Sequence, residues 1–475
     1  MVPLSRSLTQ PRLRADSSLG TAPCGRIAPL GFAIECVHMT RPVDRERTPV
    51  ERRDPPDVET FGAESCDHRG TLATVTGDSM DRFEPNLRIP GPTALPPTVR
   101  EAGARQMINH RGPEFAAMLE RILSGMRPYF GTTNDIAMLS CAGTGGLEAA
   151  VVNVLSPGDR VLAVSIGSFG DRFAKIARAY GADVTKIEVE WGQAADRAEI
   201  RAALEDAPGY TAVLLTHNET STGVMNPIPD LAEAIREAAP DALIIVDSVS
   251  GLGAVPFEMD AWGLDIVVTG SQKAWMAAPG LAMVAASDRA WAAMEHATMP
   301  RVYLDLRAHR DSHATGQTPW TPAIAVVYQV DEGLRLMAAE TPRGVFARHD
   351  ACAAATRAGL LALGFELFAD ERHASRTVTA AVVPDDLDWK SFNAEIKRRG
   401  LILAGGQGKL TGRIFRLGHL GSVTLEEILG AMSVLETVSL AQGRSIRPGV
   451  AVAAAQAAAL EAPGIAAPAT AGAGA

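Results

Sequence analysis

Lys273 is the residue whose surroundings in the sequence point most directly to covalent chemistry. The chain has six lysines among 45 basic residues, so their positions are easy to compare. Only Lys273 follows a buried-strand pattern, DIVVTGS, and precedes another apolar run, AWMAAPG. Partial loss of hydration there lowers the pKa of an ammonium toward the neutral amine that attacks an aldehyde. A lysine that extends from a strand end into solvent is the alternative interpretation.

Asp247 closes a second apolar run, ALIIVD. A carboxylate at the end of a buried strand is costly unless it is paired. The protonated ring nitrogen of a pyridine cofactor is one such partner. A helix cap explains the residue equally well, because Ser248 and Gly251 follow it.

Residues 142–146, AGTGG, precede the helical pattern LEAAVVNVL. Small residues let backbone N–H groups turn toward an anion, and a helix N-terminus adds partial positive charge, so a phosphate could bind at Gly143 and Thr144. A plain strand-to-helix turn is the alternative.

Two further patterns follow predicted strands. Phe169 begins a helix, where its face could stack on a flat ring, although such an aromatic is more often part of the core. Residues 217–223, HNETSTG, form a dense polar cluster whose hydroxyls could bind a phenolic oxygen.

A scaffold of buried strands is needed to bring these side chains together. Short apolar runs without alternation are typical of strands buried on both faces of a mostly parallel sheet. Helical patterns at residues 169–180 and 229–239 separate them, which predicts an α/β fold whose ligand site lies at the carboxyl ends of the strands. The predicted strands are residues 161–166, 212–216, 242–246, 265–269 and 281–286.

The composition changes along the chain and predicts four regions. Residues 1–80 are rich in Arg, Ser, Pro and Asp, and we expect a disordered extension. Residues 81–332 form the large domain with an N-terminal arm, and residues 333–445 form a smaller α+β domain. Residues 446–475 are an Ala/Gly/Pro low-complexity tail, which we expect to be loose.

Charge and cysteine usage exclude several classes of function. A net charge of −10 does not indicate a positively charged surface that would bind nucleic acid or an anionic membrane. No apolar run approaches the roughly 20 residues that cross a bilayer. The five cysteines are scattered, without a C-x-x-C pair or His at metal-ligand spacing, which indicates reduced thiols in a cytoplasmic protein and no metal site. The Arg- and Ser-rich start leaves organelle targeting open.

Taken together and in order, five motifs resemble the class V aminotransferases, in the branch of alanine–glyoxylate and serine–glyoxylate (serine–pyruvate) aminotransferases. The motifs are CAGTGGLEAA, GSFGDRFA, THNETSTGV, VDSVSGLG and GSQKAWMAAPG. The resemblance covers residues 89–441, approximately. It implies pyridoxal phosphate (PLP) as cofactor, the PLP fold type I with a large and a smaller C-terminal domain, and a homodimer with a shared active site.

The resemblance implies roles around the cofactor ring. Lys273 matches the Schiff-base lysine, and Asp247 matches the partner of the pyridine nitrogen. Phe169 takes the ring-stacking place, which some relatives fill with Trp or Tyr. Thr220 matches the residue that binds the ring hydroxyl, and Val249 the apolar residue packed under the ring.

Further roles concern anionic groups. Gly143, Thr144 and Gln272 match the phosphate-binding residues. In the family, a segment of the neighbouring subunit completes the phosphate site; QTPWTP resembles that segment and places Thr321 there. Arg416 matches the arginine that receives the substrate carboxylate, and its planar guanidinium suits bidentate recognition; on its own, a surface salt bridge would explain it.

The resemblance implies ping-pong transamination from serine or alanine to glyoxylate or pyruvate. The sequence shows one carboxylate-binding arginine and no evident second one, which favours monocarboxylic substrates. (S)-Ureidoglycine–glyoxylate transamination is an open alternative, since the same cofactor site would serve it. A desulfurase or lyase is disfavoured because Gln272 precedes the lysine and the loop 405–412 has no Cys. A non-catalytic PLP-fold protein is disfavoured by the presence of Lys273 and Asp247.

Overall fold

A computed structural model describes residues 84–462 of the chain. The extension predicted at residues 1–80 and the end of the tail, from residue 463, lie outside these described residues. Within them, no helix combines the length and the apolar character that a membrane span requires.

The described residues contain thirteen strands and thirteen α-helices. The strands are β1 Asn86–Arg88, β2 Asp135–Leu139, β3 Arg160–Ser165, β4 Asp183–Glu188, β5 Ala212–Thr216, β6 Asn218–Glu219, β7 Val224–Met225, β8 Leu243–Asp247, β9 Ile266–Gly270, β10 Ala282–Ala286, β11 Val378–Val382, β12 Leu401–Gly405 and β13 Ile414–Gly418. The helices are α1 Pro97–Gly103, α2 Pro113–Phe130, α3 Gly143–Val154, α4 Ser168–Ala179, α5 Arg197–Asp206, α6 Ile228–Ala238, α7 Asp288–Met294, α8 Leu306–His313, α9 Ile324–Glu340, α10 Pro342–Ala362, α11 Trp389–Arg398, α12 Leu425–Ala441 and α13 Val450–Glu461.

The central sheet has seven strands in the order β2-β10-β9-β8-β5-β3-β4. Strand β10 is antiparallel to both neighbours, and the other pairs are parallel. Alternate residues of β5 enter different cores: Val213 and Leu215 pack with α2, α5, α6 and α9, whereas Ala212 and Leu214 pack with α3, α4, α7 and α8. The prediction of a mostly parallel sheet with helices on both faces is confirmed.

The direction of the strands brings the motifs to one edge of this sheet. Strands β2, β3, β5, β8 and β9 run in the same direction, because β2 and β9 are both antiparallel to the β10 between them. Their carboxyl ends lead into the loops before α3 and α4, the cluster 217–223, Asp247 and Lys273. Side chains far apart in the sequence therefore meet at one edge.

A smaller sheet, in the order β1-β12-β13-β11, packs against helices α10 to α13. Strand β1 belongs to the N-terminal arm, yet Asn86–Arg88 pairs in parallel with Leu401–Leu403 of β12. The arm, predicted as part of the region 81–332, is thus hydrogen-bonded to the sheet of the region 333–445. It then continues from that sheet toward the central one.

Helix α13 differs from the loose tail expected after residue 446. Ala451, Ala455 and Ala459 are fully buried at four-residue spacing and pack with α10 and α12. The carboxylate of Glu436 accepts hydrogen bonds from the N–H groups of Ala451, at 2.8 Å, and Gly449, which caps the helix. Alanine has the highest helix propensity and allows close helix packing, so an Ala-rich composition is compatible with a docked helix.

Replacing Ala455 by Asp should lower the free energy of unfolding by about 3 kcal/mol, because an unpaired carboxylate would be buried between helices. Ala457→Asp is the matched control, since Ala457 is exposed on the same helix. Urea unfolding of both variants measures the difference. Equal midpoints for the two variants would contradict the packing of α13.

Candidate active site

A cleft of about 160 Å³ opens at the carboxyl edge of the central sheet. Eight of the ten residues predicted from the sequence line it, whereas Arg416 and Thr321 do not. The eight are Gly143, Thr144, Phe169, Thr220, Asp247, Val249, Gln272 and Lys273.

Lys273 is buried, with 8% of its surface exposed, in the turn after β9. Its Nζ donates a hydrogen bond to the carbonyl oxygen of Pro90 at 2.6 Å. Burial lowers the pKa of Lys273 to about 8; the negative charge of Asp247 opposes this shift and the positive charge of Arg416 adds to it. A substantial fraction of the amine is therefore neutral near physiological pH, which is the reactive form.

The N-terminal arm covers Lys273, which sequence analysis did not foresee. Gly91 has a φ of +127°, and a Cβ there would lie 2.6 Å from the lysine Nζ. Thr93 fixes the arm from the other side: its N–H donates to the carbonyl of Gln272, and its Oγ1 donates to the carbonyl of Lys273, both at 3.1 Å. Only glycine fits at position 91, and the run PGPT was the signal for it.

Asp247 lies at the end of β8 with 4% of its surface exposed. Its Oδ1 accepts a hydrogen bond from the N–H of Val249 at 3.0 Å. Burial raises the pKa of Asp247 to about 6, against that hydrogen bond; the charge of Glu219 raises it further, and that of Lys273 lowers it. A second hydrogen-bond donor entering the cleft would stabilise this carboxylate.

One end of the cleft suits an anion. Helix α3 begins at Gly143, and the preceding Ala142 provides no side-chain cap for its first N–H groups. A Cβ at Gly143 would lie 2.8 Å from a methyl group of Val249, so the loop packs closely on the cleft wall. Among the described residues, the Oε1 of Gln272 is buried without a hydrogen-bond partner. Free N–H groups at a helix N-terminus are suited to binding a phosphate, and the N–H2 group of the Gln272 amide, not its accepting Oε1, is the part of that side chain that could donate to one.

Arg416 lies on β13, outside the cleft lining but close enough to lower the pKa of Lys273. Its Nε and Nη2 donate to the carbonyl of Gly405 at 3.0 and 2.8 Å, and its Nη1 donates to the carbonyl of Thr220 at 2.9 Å. A guanidinium has five N–H donors, so its two Nη atoms each keep one for a carboxylate. Burial lowers the pKa of Arg416, and the charge of Glu219 opposes that shift.

Glu219 is a fully buried residue whose role sequence analysis did not identify. Its Oε2 accepts hydrogen bonds from the N–H groups of Phe169 and Gly170 at 2.8 and 3.2 Å, and its Oε1 accepts from Ser221 N–H at 2.9 Å. Burial raises the pKa of Glu219, and these bonds oppose the shift. The carboxylate fixes the start of α4 and with it the ring of Phe169. An acid within the polar cluster that follows a buried strand was the available signal.

Thr321 is exposed and stands apart from the cleft of its own chain. Nearby, the rings of Tyr303 and Trp320 stack with centroids 6.2 Å apart. Val302 and Tyr303 are exposed large apolar residues. The structure therefore does not bring Thr321 together with the other predicted residues within one chain.

Residues 84–462 contain no group of three or more His, Cys, Asp or Glu side chains placed to hold a metal ion. The polar groups of the cleft are instead one amine, one buried acid, amide and hydroxyl groups, and guanidinium groups at its margins.

Comparison with known proteins adds to this geometry. The profile of the family described as "Aminotransferase class-V" matches residues 98–415, more than half of the chain. A protein of a Synechococcus species named "Soluble hydrogenase, small subunit" is 41% identical over 78% of this chain and 97% of that protein. The L-aspartate–glyoxylate aminotransferase of Paracoccus denitrificans is 38% identical, and the serine–glyoxylate aminotransferase of Methylorubrum extorquens 34% identical, each over 78% of this chain and 94% of the relative.

Among solved structures, the ureidoglycine–glyoxylate aminotransferase of Bacillus subtilis superposes with a TM-score of 0.74. It is 29% identical and covers 79% of this chain and 98% of that one. The similarity thus includes nearly the whole length of the neighbour.

Asp247→Asn should stabilise the ligand-free protein at neutral pH. The pKa of Asp247 in the folded state, about 6, lies above its ordinary value of 3.8. The stability linked to this proton is therefore present below pH 3.8 and is lost as the pH rises through 6, by about 3 kcal/mol at most. The gain of the variant over the native protein should grow between about pH 4.5 and 7.5.

Urea unfolding at the two pH values measures this gain. Asp241→Asn, at an exposed position just before β8, is the control and should show no such pH dependence. A gain that is equal at both pH values would show that Asp247 ionises normally in the folded protein.

Proposed function

The chain belongs to the class V aminotransferases, and from this premise we propose that it transfers the amino group of a small amino acid, serine or alanine, to glyoxylate or pyruvate. It is a PLP-dependent enzyme. The observation that carries the proposal is the pair of buried groups at one sheet edge: Lys273, whose pKa is lowered to about 8, and Asp247, whose pKa is raised to about 6. Incubating the protein with serine and glyoxylate and assaying hydroxypyruvate tests it directly.

The cleft residues fit PLP. Gly143, Thr144 and the amide N–H2 group of Gln272 would hold its phosphate, and Asp247 would accept the hydrogen bond of its ring nitrogen. Phe169 and Val249 would contact the faces of the ring, with Thr220 at its hydroxyl. When bound, the cofactor supplies an aldehyde that takes up the amino group and a ring that accommodates the electron pair left by the α-proton.

We propose that Lys273 carries the proton between the reacting carbon atoms. Its Nζ is buried and its pKa lies close to neutrality, so it can accept the α-proton of the donor and release it to the other reacting carbon. Asp247, as a carboxylate, keeps the ring nitrogen protonated. The arm at Pro90 and Gly91 excludes water from the same amine.

Arg416 would orient the substrate. Backbone carbonyls of Gly405 and Thr220 hold its guanidinium so that the two remaining N–H groups, one on each Nη, can bind the α-carboxylate together. Because the side chain is already ordered, little conformational entropy is lost on binding.

Glyoxylate is supported as acceptor because it is common to the names of several relatives, whereas their donors differ. Ureidoglycine is the second candidate donor, favoured by the structural similarity to the Bacillus subtilis enzyme. Profiling amino donors against glyoxylate and pyruvate separates these donors.

We further propose a homodimer in which Thr321 of one copy completes the phosphate site of the other. Support comes from the position of Thr321, exposed and away from its own cleft, beside the exposed apolar residues Val302 and Tyr303. Exposed apolar groups of this kind are typical of interfaces.

We place the enzyme in the cytoplasm. Cys141 and Cys352 are free thiols in the described part of the chain, and unpaired cysteines are typical of a reducing compartment. Fractionation of the native cells, followed by detection of the protein, tests this location.

Lys273→Ala should lose the visible absorbance band of lysine-bound PLP and lower transamination by about 10³-fold or more, because both the covalent link and the proton carrier are removed. Lys175→Ala, at an exposed position of α4, should keep both. Absorbance spectra and turnover with serine and glyoxylate give the two readouts. A Lys273→Ala protein that keeps the band and the turnover refutes the assignment.

Mixing two inactive variants tests the shared site. Thr321→Asp places a negative charge against the phosphate of the neighbouring copy, and Lys273→Ala removes the amine. Refolded together in equal amounts, they should recover about a quarter of native activity, since half of the dimers are mixed and each carries one intact site. Recovery of no activity, with dimers formed, would contradict the sharing of the site.

A further inference from the structure

Arg172 is a second guanidinium at the cleft, which sequence analysis did not identify. It lies one helical turn after Phe169 on α4, is exposed and lines the cleft. Its Cζ lies 4.7 Å from the centroid of the Phe169 ring, and its Nη1 lies 3.5 Å from the Oγ1 of Thr144. Within residues 84–462 it forms no ion pair with a carboxylate.

Two guanidinium groups therefore stand near Lys273 on different walls of the site. Arg416, on β13, is held by backbone carbonyls, and Arg172 stands on α4 beside the loop of Thr144. The positive charge of each lowers the pKa of Lys273, which places both close to the amine. A ligand joined to this amine is thus flanked by two cations.

The surroundings of Arg172 favour an oxyanion as its ligand. Stacking on Phe169 holds the guanidinium by a cation–π contact without using its N–H groups. A planar fork with uncommitted donors binds a carboxylate or a phosphate in bidentate fashion. A monocarboxylic donor binds Arg416 through its single carboxylate and leaves Arg172 without an ionic partner, whereas a dicarboxylic donor has one carboxylate for each of the two arginines.

We propose that Arg172 is a second oxyanion anchor, which binds the side-chain carboxylate of a dicarboxylic amino donor of the size of aspartate. The inference rests on the proposed function and extends its donors beyond the monocarboxylic class. The cofactor phosphate is the other oxyanion in reach. The carboxylate is favoured because the N-terminus of α3 and Gln272 already provide for a phosphate, and because the exposure of Arg172 suits a group that enters and leaves.

The test compares kcat/KM for aspartate with kcat/KM for alanine, glyoxylate being the acceptor. In Arg172→Gln the ratio of aspartate to alanine should fall about 30-fold, as expected for losing charged hydrogen bonds to one carboxylate. In Arg172→Lys, which keeps the charge without the fork, the fall should be smaller. Arg178→Gln, an exposed arginine of the same helix, should leave the ratio unchanged.

The affinity of the cofactor-stripped protein for PLP, measured by absorbance titration, separates the two oxyanions. If Arg172→Gln leaves the affinity for PLP unchanged and lowers the ratio of aspartate to alanine, the result supports the side-chain carboxylate of the donor as the ligand of Arg172. If Arg172→Gln weakens PLP binding and lowers kcat/KM for aspartate and for alanine to the same extent, Arg172 binds the phosphate and the inference is overturned. If the native enzyme uses alanine or serine but not aspartate, the inference fails while the proposed function stands; if no donor reacts, the proposed function itself fails.

Discussion

The mutual burial of one amine and one carboxylate is the constraint on which the rest of the structure depends. Loss of hydration shifts the pKa of Lys273 down to about 8 and that of Asp247 up to about 6, and the charge of each partly offsets the shift of the other. Burying such a pair costs free energy unless ordered polar groups surround it. The parallel strands β8 and β9 provide this by ending side by side at the same edge.

The two sheets meet this constraint together. The central sheet supplies the amine and the acid, while the arm, hydrogen-bonded through β1 to the smaller sheet, covers the amine at Pro90 and Gly91. Arg416 of the smaller sheet donates to the carbonyl of Thr220 in the polar cluster after β5, and Glu219 of the same cluster fixes the helix that carries Phe169. A shift of either sheet would change the surroundings of Lys273.

Local patterns in the sequence were sufficient for five buried strands of the central sheet, β3, β5, β8, β9 and β10, but not for β2, which is also buried. Fully buried runs such as 212–216 have no polar face, and this pattern predicts a strand inside a sheet. Asp247 and Lys273 could be predicted as site residues because they lie at or after the ends of such strands. Strand β4, DVTKIE, stands outside the predicted apolar runs because its side chains are mostly polar at the sheet edge. Gly91 and Glu219 have local signals in the sequence, but their roles, like that of Arg172, depend on contacts between distant segments, which a local pattern does not reveal. Helix α13 was missed because an Ala-rich segment has the same composition whether it is docked or loose.

The pairing of β1 with β12 has a consequence for how the chain is made. Asn86 finds its partner Leu401 only after roughly 300 further residues have left the ribosome, so β1 must wait for a strand that is made much later. Until then β1 and the arm have no strand to bind, and an unpaired strand edge is open to wrong partners. The arm should therefore reach its final position only after the strands of the smaller sheet have been made and close over it.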